Sequence, residues 1–150
     1  MIDIVDFDAI LARGIECFST TDTIDKIEDS FGKPDSIELY HETHLFYHYD
    51  NIKFDIRDSK LERVVIYFLN FEKEYKMSVF DGEMITLDKD SSIGQIIQSL
   101  NANLIKWVVK YEESMHDYFV IDLESGVRMF FYLYSDQLER VSLNRKSLSQ

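Results

Sequence analysis

Ile52-Lys53-Phe54-Asp55-Ile56-Arg57-Asp58-Ser59-Lys60-Leu61-Glu62-Arg63-Val64-Val65-Ile66 is the stretch that decides what kind of structure this chain can form. Ile52, Phe54 and Ile56 alternate with Lys53, Asp55 and Arg57, the two-residue period of a strand that turns one face to a core and the other to water. Asp58-Ser59-Lys60 breaks the pattern, and a second apolar run over 61–68 follows. Two such runs joined by a short polar break form an antiparallel hairpin. Working outward, 36–40 and 44–49 read as two earlier strands, separated by His41-Glu42-Thr43 and followed by the turn Asp50-Asn51. Upstream of them, 21–33 reads as a helix. Thr21 or Asp22 can cap it, Ile24, Ile27 and Phe31 share one face, and Gly32 followed by Pro34 stops it.

The same order recurs. Ser92 and Gln95 match a capping box, Ile93, Ile96, Ile97 and Leu100 supply an apolar face, and Asn101-Ala102-Asn103 ends that helix. Strands are expected at 104–111, 116–123, 127–134 and 138–143, with turns at 112–115, 124–126 and 135–137. Thr23, Ile24, Ile27, Ser30 and Phe31 align with Ser92, Ile93, Ile96, Ser99 and Leu100 at a constant offset. The tetrad Leu-Glu-Arg-Val stands verbatim at 61–64 and 138–141. Extended segments at 14–18 and 82–87 are expected to add edge strands, and 7–13 a short leading helix. The expectation is an α+β fold of two tandem helix-plus-antiparallel-meander repeats, 1–75 and 76–150, forming one compact unit. Helices pack on one face of the sheet or sheets, and the other face is open.

With 150 residues, 45% of them hydrophobic and 14% aromatic, the chain can bury a core. Sixteen Lys and Arg against twenty-eight Asp and Glu give a net charge of -12. Residues 1–75 hold eight basic and seventeen acidic residues, and 76–150 hold eight and eleven. Such a balance argues against nucleic acid and for a basic protein partner, beside its general contribution to solubility. The start Met1-Ile2-Asp3-Ile4-Val5-Asp6 has neither the basic residues nor the apolar run of a signal peptide, and no later stretch matches a membrane span. Cys17 is the single cysteine, which fits a reducing compartment, so a cytoplasmic location is expected. Cys17 itself reads as a small buried apolar side chain.

Strand parity sorts the side chains. Lys53, Asp55 and Arg57 are expected in water, while in the corresponding strand Met129, Phe131 and Leu133 take the core. Arg128, Phe130, Tyr132 and Tyr134 then point outward. An outward aromatic stripe suits a contact surface, since large rings anchor complexes. Trp107 and Tyr111 share a parity and are candidates to extend it. His41, His44 and His48 cluster, but their spacing is wrong for a helical zinc motif, so no metal and no cofactor is expected. No phosphate loop or nucleophile elbow occurs, and the carboxylates read as solvated faces, so no enzyme activity is expected.

The segment Ile24-Asp25-Lys26-Ile27-Glu28-Asp29-Ser30-Phe31-Gly32-Lys33-Pro34-Asp35 resembles the helix, Gly-x-Pro-Asp, meander signature of β-lactamase-inhibitor-like repeat proteins. Similar two-copy cytoplasmic proteins include immunity proteins of bacterial toxin systems. The resemblance implies a stoichiometric inhibitor that grips a toxin or enzyme with its open sheet face. The alternatives are a small-ligand or metal-binding domain centred on His44, His48 and Trp107, and a structural homodimer.

Overall fold

Short turns set the register of the first four strands. The computed structural model describes residues 23–68, 71–72, 74–78, 84–110, 117–124 and 126–144. Within it Asp50 adopts φ 48°, and Asp58 and Ser59 adopt φ 50° and 64°. Aspartate tolerates this left-handed region better than most residues. Two successive positive φ angles make a turn whose twist matches that of the flanking strands. The result is the meander β1 (Ser36–His41), β2 (His44–Tyr49), β3 (Ile52–Arg57) and β4 (Lys60–Tyr67).

Helix α1 (Thr23–Phe31) precedes it and ends where Gly32, at φ 77°, donates its N–H to the Glu28 carbonyl. That conformation favours glycine, so the residue read as a stop acts as one. Helix α2 (Ile93–Ala102) begins with the expected capping box between Ser92 and Gln95. Leu104 then takes φ 56°, and β7 (Trp107–Val109) starts three residues later than the 104–111 expected and is shorter. The remaining strands are β8 (Tyr118–Leu123), β9 (Val127–Tyr132) and β10 (Leu138–Asn144). Because β9 stops at Tyr132, Leu133 lies exposed in a turn and not in the core.

The expected α+β pair of tandem helix-plus-meander repeats is corrected by the sheet. Eight antiparallel strands form one continuous sheet in the order β1-β2-β3-β4-β10-β9-β8-β7, and the described residues include only two short helices. The architecture is mainly β. The physical reason lies at β4 and β10, which pair from Arg140↔Tyr67 to Asn144↔Arg63. An unpaired central edge would leave a row of backbone N–H and C=O groups unsatisfied. A helix of nine residues is only ~14 Å long, so helical cover is minor beside eight strands. Residues 84–87 do not join an edge of this sheet either. As β6 (Met84–Leu87) they pair with β5 (Tyr75–Ser78) in a separate hairpin.

One core runs beneath the helices. Ile27 and Phe31 of α1, and Ile96 and Leu100 of α2, pack with Phe54, Ile66, Met129, Phe131 and Val141 of the sheet, and Tyr75 and Leu87 of the hairpin join them. Asn51 ties the hairpin on, accepting from the Tyr75 hydroxyl at 3.0 Å and donating to the Tyr67 carbonyl at 3.0 Å. The expected leading helix over 7–13, the edge strand over 14–18, the first helix caps, Cys17, Tyr111 and the turn over 112–115 lie outside the described residues.

Both Leu-Glu-Arg-Val tetrads are bulges. Strict alternation cannot place Leu and Val, three positions apart, on the same face, yet Leu61, Val64, Leu138 and Val141 are all buried in the core. Pairing steps from Asp55↔Arg63 to Ile56↔Leu61, and from Arg140↔Phe130 to Leu138↔Phe131, so Glu62 and Glu139 are the extra residues. Each bulge turns the following arginine onto the face away from the helices. Deleting Glu62 brings Leu61 and Val64 two positions apart, as strict alternation requires, so the shortened chain is expected to fold with the bulge lost and every neighbour on its present face. Replacing it, Glu62→Ala, should change stability by no more than about 0.5 kcal/mol. Circular dichroism and urea unfolding of the two variants check both outcomes.

Candidate functional site

The face of the sheet away from the helices is ordered in rows by the register. One row runs Lys53↔Val65, Val65↔Ser142, Ser142↔Arg128 across β3, β4, β10 and β9. Strands lie ~4.8 Å apart, so the backbones at its ends are separated by about 14 Å. The two middle side chains are short and buried, Val65 at 4% and Ser142 at 5% exposure. The neighbouring rows carry long side chains, Tyr67↔Arg140↔Phe130 on one side and Arg63↔Asn144 on the other. A short floor inside a tall rim makes a concavity of about 440 Å³, with Lys53, Arg63, Arg128 and Arg140 among its walls and no acidic side chain lining it among the described residues.

Three of those cations are held by carboxylates set behind them. Arg128 donates to both oxygens of Asp122, at 2.7 and 3.1 Å. Arg140 donates to Glu139 at 2.8 Å, and its guanidinium lies 3.8 Å from the Phe130 ring centroid and 5.3 Å from that of Tyr118. Stacking of this kind contributes roughly 0.5–2 kcal/mol. Arg63 lies 3.3 Å from Asp55, while its Nε is buried with no acceptor. Lys53 has no carboxylate partner among the described residues, and its ammonium sits 5.0 Å over the Phe46 ring.

Asp55 was expected in water. It is 2% exposed, because His44 donates to it at 2.6 Å while Arg63 and Arg57 flank it. A buried carboxylate needs such partners to offset desolvation. His48 is drawn instead to Glu38 at 3.2 Å, so the two histidines serve separate carboxylates. Among the described residues no three potential metal ligands come together. Trp107 lies on the opposite side of the sheet, packed against the core with its indole N–H donating to Asn101 of α2 at 2.9 Å. It therefore neither extends the aromatic stripe nor shares a site with His44 and His48.

The stripe itself is reorganised. Phe130 is buried under Arg140, and Tyr132 is half-buried against Tyr118, with centroids 5.4 Å apart. Tyr134, at 89% exposure, stands on the turn after β9 and not on the strand. Arg128 is part of the concavity wall. Parity alone missed Lys53 as a wall residue and missed Arg63, Arg140, Val65 and Ser142 altogether. The tetrad held a usable signal, since its broken two-residue period marks where an arginine emerges beside a bulge.

Glu139 shows the electrostatic cost of this construction. Burial pushes its carboxyl above the ordinary glutamate range, and the Arg140 guanidinium opposes that only in part. Burial also raises the Tyr132 hydroxyl, with Glu139 adding to it. A carboxyl whose folded value is raised binds more protons in the folded state than in the unfolded one. Stability therefore falls as pH climbs from the unfolded glutamate value through the folded one. Glu139→Gln is expected to be more stable than the parent at neutral pH, with the gain disappearing below about pH 4. Thermal melts of both proteins across pH would read that convergence. Compared with family models, curated proteins and solved structures, the chain matches none.

Proposed function

We propose that this chain is a non-catalytic binding protein that seats a protein partner on the face of its sheet away from the helices. The observation that carries the reading is the combination built there: a concavity rimmed by Lys53, Arg63, Arg128 and Arg140, bordered by the Tyr118, Phe130 and Tyr132 rings. Aromatic and arginine side chains around a recess are the chemistry of interface anchors. The inhibitor form of this reading, in which the chain occludes a toxin or enzyme, needs only stoichiometric cover of the partner. A cytoplasmic setting accords with the single cysteine.

The basic partner inferred from the net charge of -12 is revised at the point of contact. The recess presents cations, so the segment that enters it carries the opposite sign, while the acidic remainder of the surface governs longer-range encounter. No helix among the described residues is long and apolar enough to cross a membrane.

Capture of host proteins on the immobilised full chain, compared with a Tyr132→Ala, Tyr134→Ala variant, tests the face. A one-to-one partner retained by the parent should bind the variant at least about tenfold more weakly, the loss of a modest interface anchor. Equal retention by a variant with an unchanged melting temperature would place binding elsewhere.

A further inference from the structure

We infer that the concavity is a subsite for an acidic, extended peptide segment, whose carboxylates it takes with Lys53, Arg63 and Arg140. The inference rests on the binding reading above and specifies what enters the recess. Four cations converge on a floor of Val65 and Ser142 in a chain whose net charge is -12, and among the described residues no carboxylate lines the space between them. The carboxylates that hold Arg128, Arg140 and Arg63 are their own neighbours Asp122, Glu139 and Asp55. Those contacts orient the guanidinium groups, and in Arg63 and Arg140 they leave further donors of the fork unused.

Two groups are underserved outright. The Lys53 ammonium faces an aromatic ring with no carboxylate partner among the described residues, and Arg63 Nε is buried without an acceptor. A buried donor left unmade costs free energy that an arriving oxyanion relieves if the side chain turns toward it. Size and field select among anions. In an extended segment, side chains at i and i+2 lie on one side about 7 Å apart, so two fit within the ~14 Å from β3 to β9. A long nucleic acid would instead meet the repulsion of the whole acidic surface. Arginine paired with carboxylate adds the directional two-bond geometry that a lone ammonium lacks.

The test is titration of the full chain with an acetylated peptide of alternating glutamate and serine, followed by amide NMR shifts and calorimetry. Saturable shifts are expected at Lys53, Val65, Arg140 and Ser142, with affinity falling as salt rises. Lys53→Gln together with Arg63→Gln should weaken binding by about tenfold or more, the loss of charge-assisted contacts. Lys89→Gln, whose lysine pairs with Glu72 away from the concavity, should leave binding unchanged. If the double variant melts early, Lys53→Gln alone carries the comparison.

Absence of saturable shifts overturns the inference, as does equal binding of the matching glutamine peptide. Tighter binding of an oligothymidine than of the peptide would assign the recess to nucleic acid, and equally tight binding of inorganic phosphate would assign it to a free anion. A partner captured by the parent, lost on Tyr132→Ala, Tyr134→Ala and kept by Lys53→Gln, Arg63→Gln would overturn the subsite alone. The binding face would then stand.

Discussion

The backbone pairing of β4 with β10 is the constraint on which the rest of this molecule depends. It joins strands far apart in sequence and makes one sheet of eight. Loop-closure entropy opposes a contact of such long sequence separation. Satisfying a ladder of backbone groups and burying Val64, Ile66, Val141 and Leu143 over one core offset that cost. Without the join, Val65 and Ser142 would not be neighbours, and neither would Tyr67 and Arg140. The concavity exists only because the last strand of the first meander, β4, meets β10 there.

The two bulges decide what that join displays. Each inserts a glutamate into a central strand and turns the next residue, Arg63 or Arg140, to the face away from the core. The extra residue also raises a carboxylate beside the emerging arginine in the case of Glu139, which is buried at an energetic cost. A fully buried ion pair seldom gains stability over apolar packing. Here the pairs hold guanidinium groups upright around a short-chain floor, a geometry suited to recognition more than to stability. Nearby, Asp55 binds His44 and Arg63 from below in the same manner.

The strands, turns and caps were legible because they depend on near neighbours. Alternation in Ile52-Lys53-Phe54-Asp55-Ile56-Arg57 gave β3, the Asp58-Ser59 turn gave the hairpin, and Ser92 with Gln95 gave the start of α2. The outward parity of Arg128, Phe130 and Tyr132 was also readable. Their neighbours were not. Arg140 over Phe130, Asp55 under Arg63, and Trp107 on the opposite side from Tyr132 depend on which strand lies beside which. Leu133 and Tyr134 were misplaced because the strand ended two residues early, at a turn closed by the bonds Tyr132 to Gln137 and Asp136 to Tyr132 and tied to the start of α2, where the Ile93 N–H donates to the Asp136 carbonyl.

The sequence by itself determined the local grammar of this protein: which runs extend, where they turn, which glycine stops a helix, and that the chain as a whole is acidic. Tertiary structure alone decided that the strands form one mainly β sheet and not two separate helix-covered meanders, and that an acidic chain gathers four cations on one face. The physical reason is one of range. Alternation, capping and turn propensity act over a few residues, whereas sheet order follows from satisfying backbone edges that only meet once the whole chain has closed.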